Sequence, residues 1–293
     1  MRLLLTGADG FTGKHIQFAA VAAGYEVLPV RADLTDFELL EKEVRVSKPT
    51  HVIHLAAISD VNDSHQENYY RVNLFGTLNL LKVLEGLEET PEKVILASSA
   101  NVYGANSGQL IKETLEPKPV NQYAMSKLAM EYMSILHAER LPILFTRPFN
   151  YTGIGHDNRF VIPKIVEHFS NEKSQIELGN LKVEREYNDV RNVAQIYLEL
   201  LKKGCRGEIY NIASGRTYSL EVVIDLLRNI TGQSLSISVN PAFVRKNDIP
   251  VLSGDPEKLE RCIGQVNWYG LRDTLVWMLT NSKNRTFDNR NFY

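Results

Sequence analysis

The sequence predicts an α/β fold: a doubly wound parallel-sheet Rossmann domain with a smaller C-terminal α/β substrate domain. Three features carry that expectation. Short apolar runs rich in leucine and β-branched residues recur along the chain, segments with helical apolar spacing separate most of them, and the first run ends in a glycine-rich turn that opens a helix.

In chain order, the first strand is RLLLT (2 to 6), followed by a helical pattern in KHIQFAAVAA (14 to 23) and a second strand in EVLPV (26 to 30). HVIHLAA (51 to 57) supplies the next strand and NLFGTLNLLKVLEGL (73 to 87) the next helix. KVILASS (93 to 99), the helix NQYAMSKLAMEYMSILHAE (121 to 139), PILFTR (142 to 147) and EIYNI (208 to 212) continue the series. Strands that are apolar throughout, rather than alternating, imply a parallel sheet covered on both faces. From about residue 150 the rhythm changes, and 241 to 256 reads as loop. The expected division is a dinucleotide-binding domain over 1–150, with later strands contributed from about 180–215. A substrate domain follows over most of 151–280, interleaved with those strands, and 281–293 is a polar tail.

Composition narrows the function classes. The 293 residues, 44% of them hydrophobic, suffice for a sizeable core. With 33 basic against 35 acidic residues and a net charge of −2, nothing global calls for a nucleic-acid or membrane partner. Cys205 and Cys262 lack disulfide-framework or metal-ligand spacing, so they are expected to be buried, inert thiols, and no metal site is expected. Met1 and Arg2 run straight into LLLTG, and no apolar stretch approaches the roughly 20 residues of a bilayer span, so a cytoplasmic location is expected.

The turn TGADGFTGKH places Gly7, Gly10 and Gly13 between strand and helix. A tight turn needs a residue without Cβ, backbone amides must approach a diphosphate, and the helix N-terminus favours negative charge. A Walker phosphate loop is excluded, because Ala8 stands where its first glycine belongs and His15 where its hydroxyl would hold magnesium. Tyr123 and Lys127 in YAMSK lie four apart and share a helix face. An ammonium beside a phenol is expected to lower the phenol's pKa and make it a proton donor and acceptor.

TGADGFTG, HLAA (54 to 57), VNLFGTLN (72 to 79), SSANVYG (98 to 104), YAMSK (123 to 127) and RPFN (147 to 150), in that order, resemble the motifs of the extended short-chain dehydrogenase/reductase family. The resemblance implies catalysis by Ser99, Tyr123 and Lys127, with Ser98 a structural hydroxyl. It implies a cofactor site of Gly7, Gly10, Phe11, Thr12, Gly13, Leu55, Ala56, Ala57, Asn73, Tyr123, Lys127 and Pro148, together with Arg31, Asp33 and Leu34 after the second strand. Arg31 could meet a 2′-phosphate. RADLTD follows VLPV almost directly, however, and this shortening could give the ribose to Asp33 instead. The expectation leans to NADP(H), with NAD(H) left open.

Sugar-nucleotide dehydratases of the family carry a glutamate two residues before the tyrosine of SSANVYG; Asn101 stands there, and an amide cannot take the proton. The extra histidine of the double epimerase-reductases that make GDP-fucose is replaced by Phe160, and neither cysteine lies near the catalytic loops. His156 is expected to make only a loop contact. GNLKVEREYNDVRNVAQIY (179 to 197) and VRKNDIPVLSGDPEKLE (244 to 260) resemble segments of enzymes acting on GDP-mannose-derived sugars. They imply a GDP-sugar substrate held by Ser99, Asn150, Val161, Asn180, Arg185, Arg245 and Asp248, with Arg185 and Arg245 on the diphosphate and ribose. Asn188 replaces the hydroxyl residue more usual before DVR, and Lys246 replaces a proline.

The reaction implied is NAD(P)H-dependent reduction of a 4-keto-6-deoxyhexose, giving GDP-D-rhamnose or its C4 epimer, GDP-6-deoxy-D-talose. The alternatives are a 4-epimerase with tightly bound NAD, a dTDP- or UDP-sugar reductase, and a catalytically silent cofactor-sensing protein. The family further implies a homodimer through helices spanning 72–85 and 123–139, with Leu128, Tyr132, Ile135 and Leu136 as apolar positions.

Overall fold

The structure, a computed structural model, describes residues 1–59, 65–104, 110–244 and 249–282. The chain opens with strand β1 (Arg2–Thr6), helix α1 (Phe11–Ala22), β2 (Glu26–Pro29), α2 (Phe37–Ser47) and β3 (His51–His54). A π-helical segment (Tyr69–Gly76) runs into α3 (Thr77–Glu85), followed by β4 (Lys93–Ala97), a 3-10 turn (Ala100–Tyr103), α4 (Gln122–Ser134) and β5 (Ile143–Pro148). Beyond these lie β6 (Tyr151–Thr152), α5 (Val161–Ser170), β7 (Gln175–Leu178), β8 (Glu184–Arg185), β9 (Asn188–Asp189), α6 (Val190–Lys203) and β10 (Ile209–Ile212). The remainder is β11 (Tyr218–Ser219), α7 (Leu220–Thr231), β12 (Ser236–Val239), β13 (Val251–Leu252), α8 (Glu257–Ile263) and α9 (Leu271–Ser282).

Six strands form one parallel sheet in the order β10-β5-β4-β3-β1-β2. Its central strands are buried along their whole length, as their unbroken apolar sequences require: Leu3, Val52, Ile53, Val94, Ile95 and Leu96 have no exposed surface. One face packs on α1, α6 and α8 through Ile16, Val193, Tyr197 and Leu259. The other packs on α2, α3 and α4 through Leu40, Val44, Leu80, Leu84 and Met130. Each such leucine contributes about 1.5–3 kcal/mol on burial. The chain leaves β1 towards β2 and returns to the other side at β3, so the topological switch point, where ligands bind open α/β sheets, lies beyond β1 and β3. β2 is the edge strand; the short connection through RADLTD leaves no room for a further strand outside it.

A second apolar cluster gathers α5, α7 and α9 around Phe169, Ile176, Leu227 and Leu275, beside the two-stranded β12-β7 and three-stranded β11-β8-β13 sheets. The stretch read as loop from 241 to 256 contains a 3-10 turn at Pro241–Phe243 and strand β13, which pairs with β8. Two-residue strands carry no periodicity, so the pattern could not show it. The expectation of buried thiols is corrected: Cys205 is exposed and Cys262 half-buried. Both sulfurs instead approach the Lys203 carbonyl at the end of α6. Of the polar tail, residues 281 and 282 end α9 and the rest lies outside the described residues. Among the described residues no helix is long and apolar enough to cross a membrane, and no group of His, Cys, Asp and Glu side chains could hold a metal ion.

Candidate active site

The candidate residues collect at the C-terminal ends of β1, β3, β4 and β5. After β1, Gly7 adopts φ +68°, and a Cβ there would meet the Ala56 nitrogen at 2.8 Å. Only glycine lets the first turn lie against the Leu55–Ala56 backbone. Thr6 completes the junction: its hydroxyl accepts from the Leu55 and Ala56 amides at 3.2 and 3.1 Å. α1 begins at Phe11 with Gly10 as N-cap, and no side chain caps it. An uncapped helix start above a glycine turn, at the switch point, fits the diphosphate of a dinucleotide.

HLAA and VNLFGTLN act together. His54 is fully buried between Thr6 (Nδ1 to Oγ1, 2.7 Å) and Thr77 (Nε2 to Oγ1, 2.8 Å). The Thr77 hydroxyl donates to the Asn73 carbonyl, so Nε2 must carry the proton and Nδ1 accepts from Thr6. The Asn73 side chain is engaged by Ile58 on both backbone groups and by Ser126, so it holds the segment after β3 from behind. Gly76 admits Leu34, whose Cβ would lie 2.9 Å from a Cβ at 76, while Asn79 donates to the Leu34 carbonyl. One helix thus fixes both the Leu34 and the Leu55–Ile58 segments.

Beyond β2, Arg31 pairs with Asp9 of the glycine turn, and its amide and that of Ala32 donate to Glu43. Asp33 accepts from the Thr35 amide and hydroxyl, which hold its pKa below the usual carboxylate value. Phe11 stacks on His156 at 4.4 Å and on Tyr151 at 5.9 Å, and Thr12 hydrogen-bonds the Tyr151 hydroxyl at 2.7 Å. His156, also against Phe160, therefore makes the loop contact read from the sequence.

Ser99, at the end of β4, is the N-cap of the 3-10 turn and accepts from the Asn101 amide. Asn121 caps α4 by accepting from Ala124, which sets Tyr123 in the first turn and Lys127 one turn later. Tyr123, packed edge-on against Tyr69, lies within hydrogen-bonding reach of Ser99. Lys127 Nζ donates to the Ala97 carbonyl at 2.7 Å. The three side chains that the motifs singled out therefore converge. Ser98 is buried, and among the described residues its hydroxyl has no partner. Tyr103 turns into the core and donates to Asn211.

The electrostatics correct one expectation. Burial pushes the Tyr123 phenol up to about 12, against a smaller opposing effect of the Ser99 hydrogen bond, where the sequence suggested a lowered value. The ammonium that was to lower it is turned onto Ala97 O, and its own pKa is pulled down to about 8 by burial, partly offset by Glu131. Desolvation outweighs the charge pairing that i,i+4 spacing implies.

On the substrate side, Pro148 ends β5 and Asn150 follows it, exposed, with its carbonyl accepting from the Asn188 amide. Val161 starts α5, and Asn180 Oδ1 accepts from the Lys182 amide. Arg185 Nη1 donates to the carbonyls of Glu184 and Ile249. Arg245 and Asp248 lie outside the described residues.

The sequence reading missed Glu186. It is fully buried and takes hydrogen bonds from Asn188 Nδ2, the Ser214 amide and hydroxyl, the Ser253 hydroxyl and the Gly254 amide. Burial raises its pKa, and those donors oppose the rise. It ties three backbone segments together beside Arg185 and gives Asn188 its purpose. An acid flanked by Arg185 and Tyr187 in sequence reads as surface, and its donors lie up to 68 residues away.

Comparison with known proteins finds relatives along nearly the whole chain. The family described as GDP-mannose 4,6 dehydratase matches residues 29–276. GDP-6-deoxy-D-talose 4-dehydrogenase of Aggregatibacter actinomycetemcomitans is 35% identical over 90% of this chain and 92% of its own. GDP-6-deoxy-D-mannose reductase of Pseudomonas aeruginosa is 33% identical over 97% of this chain and 98% of its own. The structure of RMD from Pseudomonas aeruginosa complexed with NADPH superposes with a TM-score of 0.90 at 30% identity, covering 97% of this chain and 99% of that one.

Proposed function

The chain belongs to the GDP-mannose 4,6 dehydratase family, within the extended short-chain dehydrogenase/reductases, and from that premise we propose that it is a GDP-linked 4-keto-6-deoxyhexose 4-reductase. The products are GDP-D-rhamnose or GDP-6-deoxy-D-talose, according to the sugar face presented. The observation that carries this reading is the convergence of Ser99, Tyr123 and Lys127 with an amide, Asn101, in place of a dehydratase's carboxylate. Both named relatives act, by name, on GDP-6-deoxyhexoses.

A bound reduced nicotinamide cofactor would supply hydride to C4. The protein's own residues handle the oxygen. As C4 gains hydride, the carbonyl electron pair moves to oxygen, Ser99 O–H hydrogen-bonds it and Tyr123 transfers its phenolic proton to it. A phenol held near 12 is fully protonated at neutral pH and is ready to donate in this direction. Lys127, with a pKa of about 8, is mainly cationic there and stabilises the phenolate left behind. We assign NADPH as the preferred reductant, on the support of Arg31 beyond β2 and the NADPH of the Pseudomonas aeruginosa structure.

Purified protein with GDP-4-keto-6-deoxymannose should oxidise NADPH in preference to NADH, and NMR of the product sugar names the epimer. Cofactor turnover with neither reductant would overturn the substrate assignment. Tight, non-exchanging NAD would instead identify an epimerase.

The proposed assembly is a homodimer through α4 and the π-helical segment. Phe75 of that segment, Met125 and Tyr132 of α4, and Ile135 and Leu136 of the 3-10 turn that follows α4 (Ile135–His137) are exposed, Leu136 to 73%. Leu128 does not belong to this surface, for it packs with the cluster of Tyr103 and Phe149. Leu136→Glu combined with Tyr132→Glu should convert a dimer to a monomer by light scattering, without loss of helical signal. A wild-type monomer, or a variant that stays dimeric, contradicts the assignment.

A further inference from the structure

The Asn101 position, where a dehydratase would carry its base, is occupied by a group with a role of its own. Ser99 Oγ receives two hydrogen bonds from this one residue, from the backbone amide at 3.2 Å and from side-chain Nδ2 at 3.0 Å. A serine oxygen has two lone pairs and one hydrogen. Both lone pairs are spent on Asn101, so the hydroxyl is left with donation only.

We propose that Asn101 is a positioning residue that makes Ser99 an obligatory hydrogen-bond donor, so that the site is committed to stabilising oxyanion character at a sugar carbonyl. The inference rests on the ketoreductase reading and deepens it.

The consequence for the reaction is specific. A serine free to accept would compete with substrate for the Tyr123 proton, holding the phenol in an unproductive Tyr-to-Ser hydrogen bond. With the Ser99 oxygen saturated, Ser99 can meet Tyr123 in the resting site only as a donor. When a carbonyl oxygen arrives, both hydroxyls turn to it. Ser99 stays a donor throughout, and Tyr123 gives up its proton. The turn geometry supports this use: Ser99 is the N-cap of Ala100–Tyr103, which fixes the backbone-amide contact, and Asn101 lies within the same turn. A carboxylate at 101 could not make the side-chain bond. Having no hydrogen to give, it would accept the serine's own.

Asn101→Asp is therefore the decisive variant, because it keeps shape and reverses hydrogen-bond polarity. It is compared with wild type, Asn101→Ala and Ser99→Ala, using whichever nucleotide-linked ketone the wild type turns over. Asn101→Ala keeps the backbone donor and should lose roughly 10-fold in kcat. Asn101→Asp should lose about 100-fold, the scale of one lost oxyanion donor, with KM, NADPH affinity and Tm near wild type. Asn101→Asp should also regain activity relative to wild type as pH falls and the carboxyl acquires a hydrogen to donate. On a Ser99→Ala background it should cost little more, since the two changes act on one group.

An Asp variant as active as wild type, an Ala variant worse than Asp, or full additivity with Ser99→Ala would overturn the inference while leaving the ketoreductase assignment intact. A wild type inert with every nucleotide-linked ketone, with both reductants, would overturn the assignment and the inference together.

Discussion

Tyr123→Phe is expected to abolish turnover while leaving the fold in place. The substitution removes one oxygen from a ring that is 8% exposed, packed edge-on to Tyr69 and set in the first turn of α4 by the Asn121 cap. The ring contacts survive, and whatever hydrogen bond the hydroxyl makes is worth only about 1 kcal/mol. The chemical loss is far larger. The variant has no proton to give the developing alkoxide, and general acid catalysis is worth about 10²–10⁴-fold. Because Ser99 is not disposed to replace that proton, kcat should fall about 10³-fold or more. KM for the nucleotide sugar should change by less than about 3-fold, and NADPH should still bind. Single-turnover measurement of NADPH oxidation separates chemistry from release. Retention of a tenth of wild-type kcat would remove Tyr123 from the role of acid.

That residue also shows how far the sequence could be read. The Tyr and Lys spacing places two groups on one helix face, and the glycine turn after an apolar strand locates the cofactor end of the sheet; both signals are local, and both residue sets converge in the structure. The environment of the pair is not local. Whether a neighbouring ammonium or burial governs the phenol depends on Ala97, which captures Lys127 from 30 residues away, and on Tyr69 packed over the ring. His54, Thr77 and Thr6 were quoted within motifs, but their mutual hydrogen bonds span 23 and 48 residues, and no periodicity encodes them. Glu186 is the extreme case, an acidic residue in the two-residue link between β8 and β9; apart from Asn188, its partners lie 28 to 68 residues away. Strand positions were legible because unbroken apolar runs leave few alternatives; the short strands β6, β8, β9, β11 and β13 have no pattern to read.

The same non-local burial makes the protein acid-labile. His54 is held neutral by burial, with a pKa of about 3, and Lys127 nearby disfavours its charged form further. His15, donating to the Ile154 carbonyl at 2.9 Å, is lowered to about 4, again chiefly by burial, with Asp189 opposing and Arg191 reinforcing. His156, stacked between Phe11 and Phe160, is lowered to about 4 by burial, with Asp157 opposing. A protonated His54 would carry a hydrogen on Nδ1 facing a Thr6 oxygen that already accepts from two amides.

Each of these groups has a folded pKa below its unfolded value, so the unfolded chain binds more protons between about pH 6.5 and 4. Stability is therefore full above 6.5 and is lost as pH falls. Each site contributes at most about 1.4 kcal/mol per pH unit, so three approach roughly 4 kcal/mol per unit once pH is well below 6. Integrated from pH 6.5 to 5, the three sites together remove about 6 kcal/mol, a large part of a total of about 5–15 kcal/mol. Carboxylates whose folded pKa is lowered, such as Asp33 and Glu199, lose their contribution only at more acid pH, so the histidines govern this window. Denaturant melts at pH 7.5, 6.5 and 5.5 measure the slope directly. His54→Gln can keep both threonine contacts, donating to Thr77 and accepting from Thr6, without titrating. It should reduce the acid slope by about a third while costing little at pH 7.5. Stability unchanged between pH 7.5 and 5.5 would mean that these rings find acceptors when protonated, and that the buried network relaxes rather than breaks.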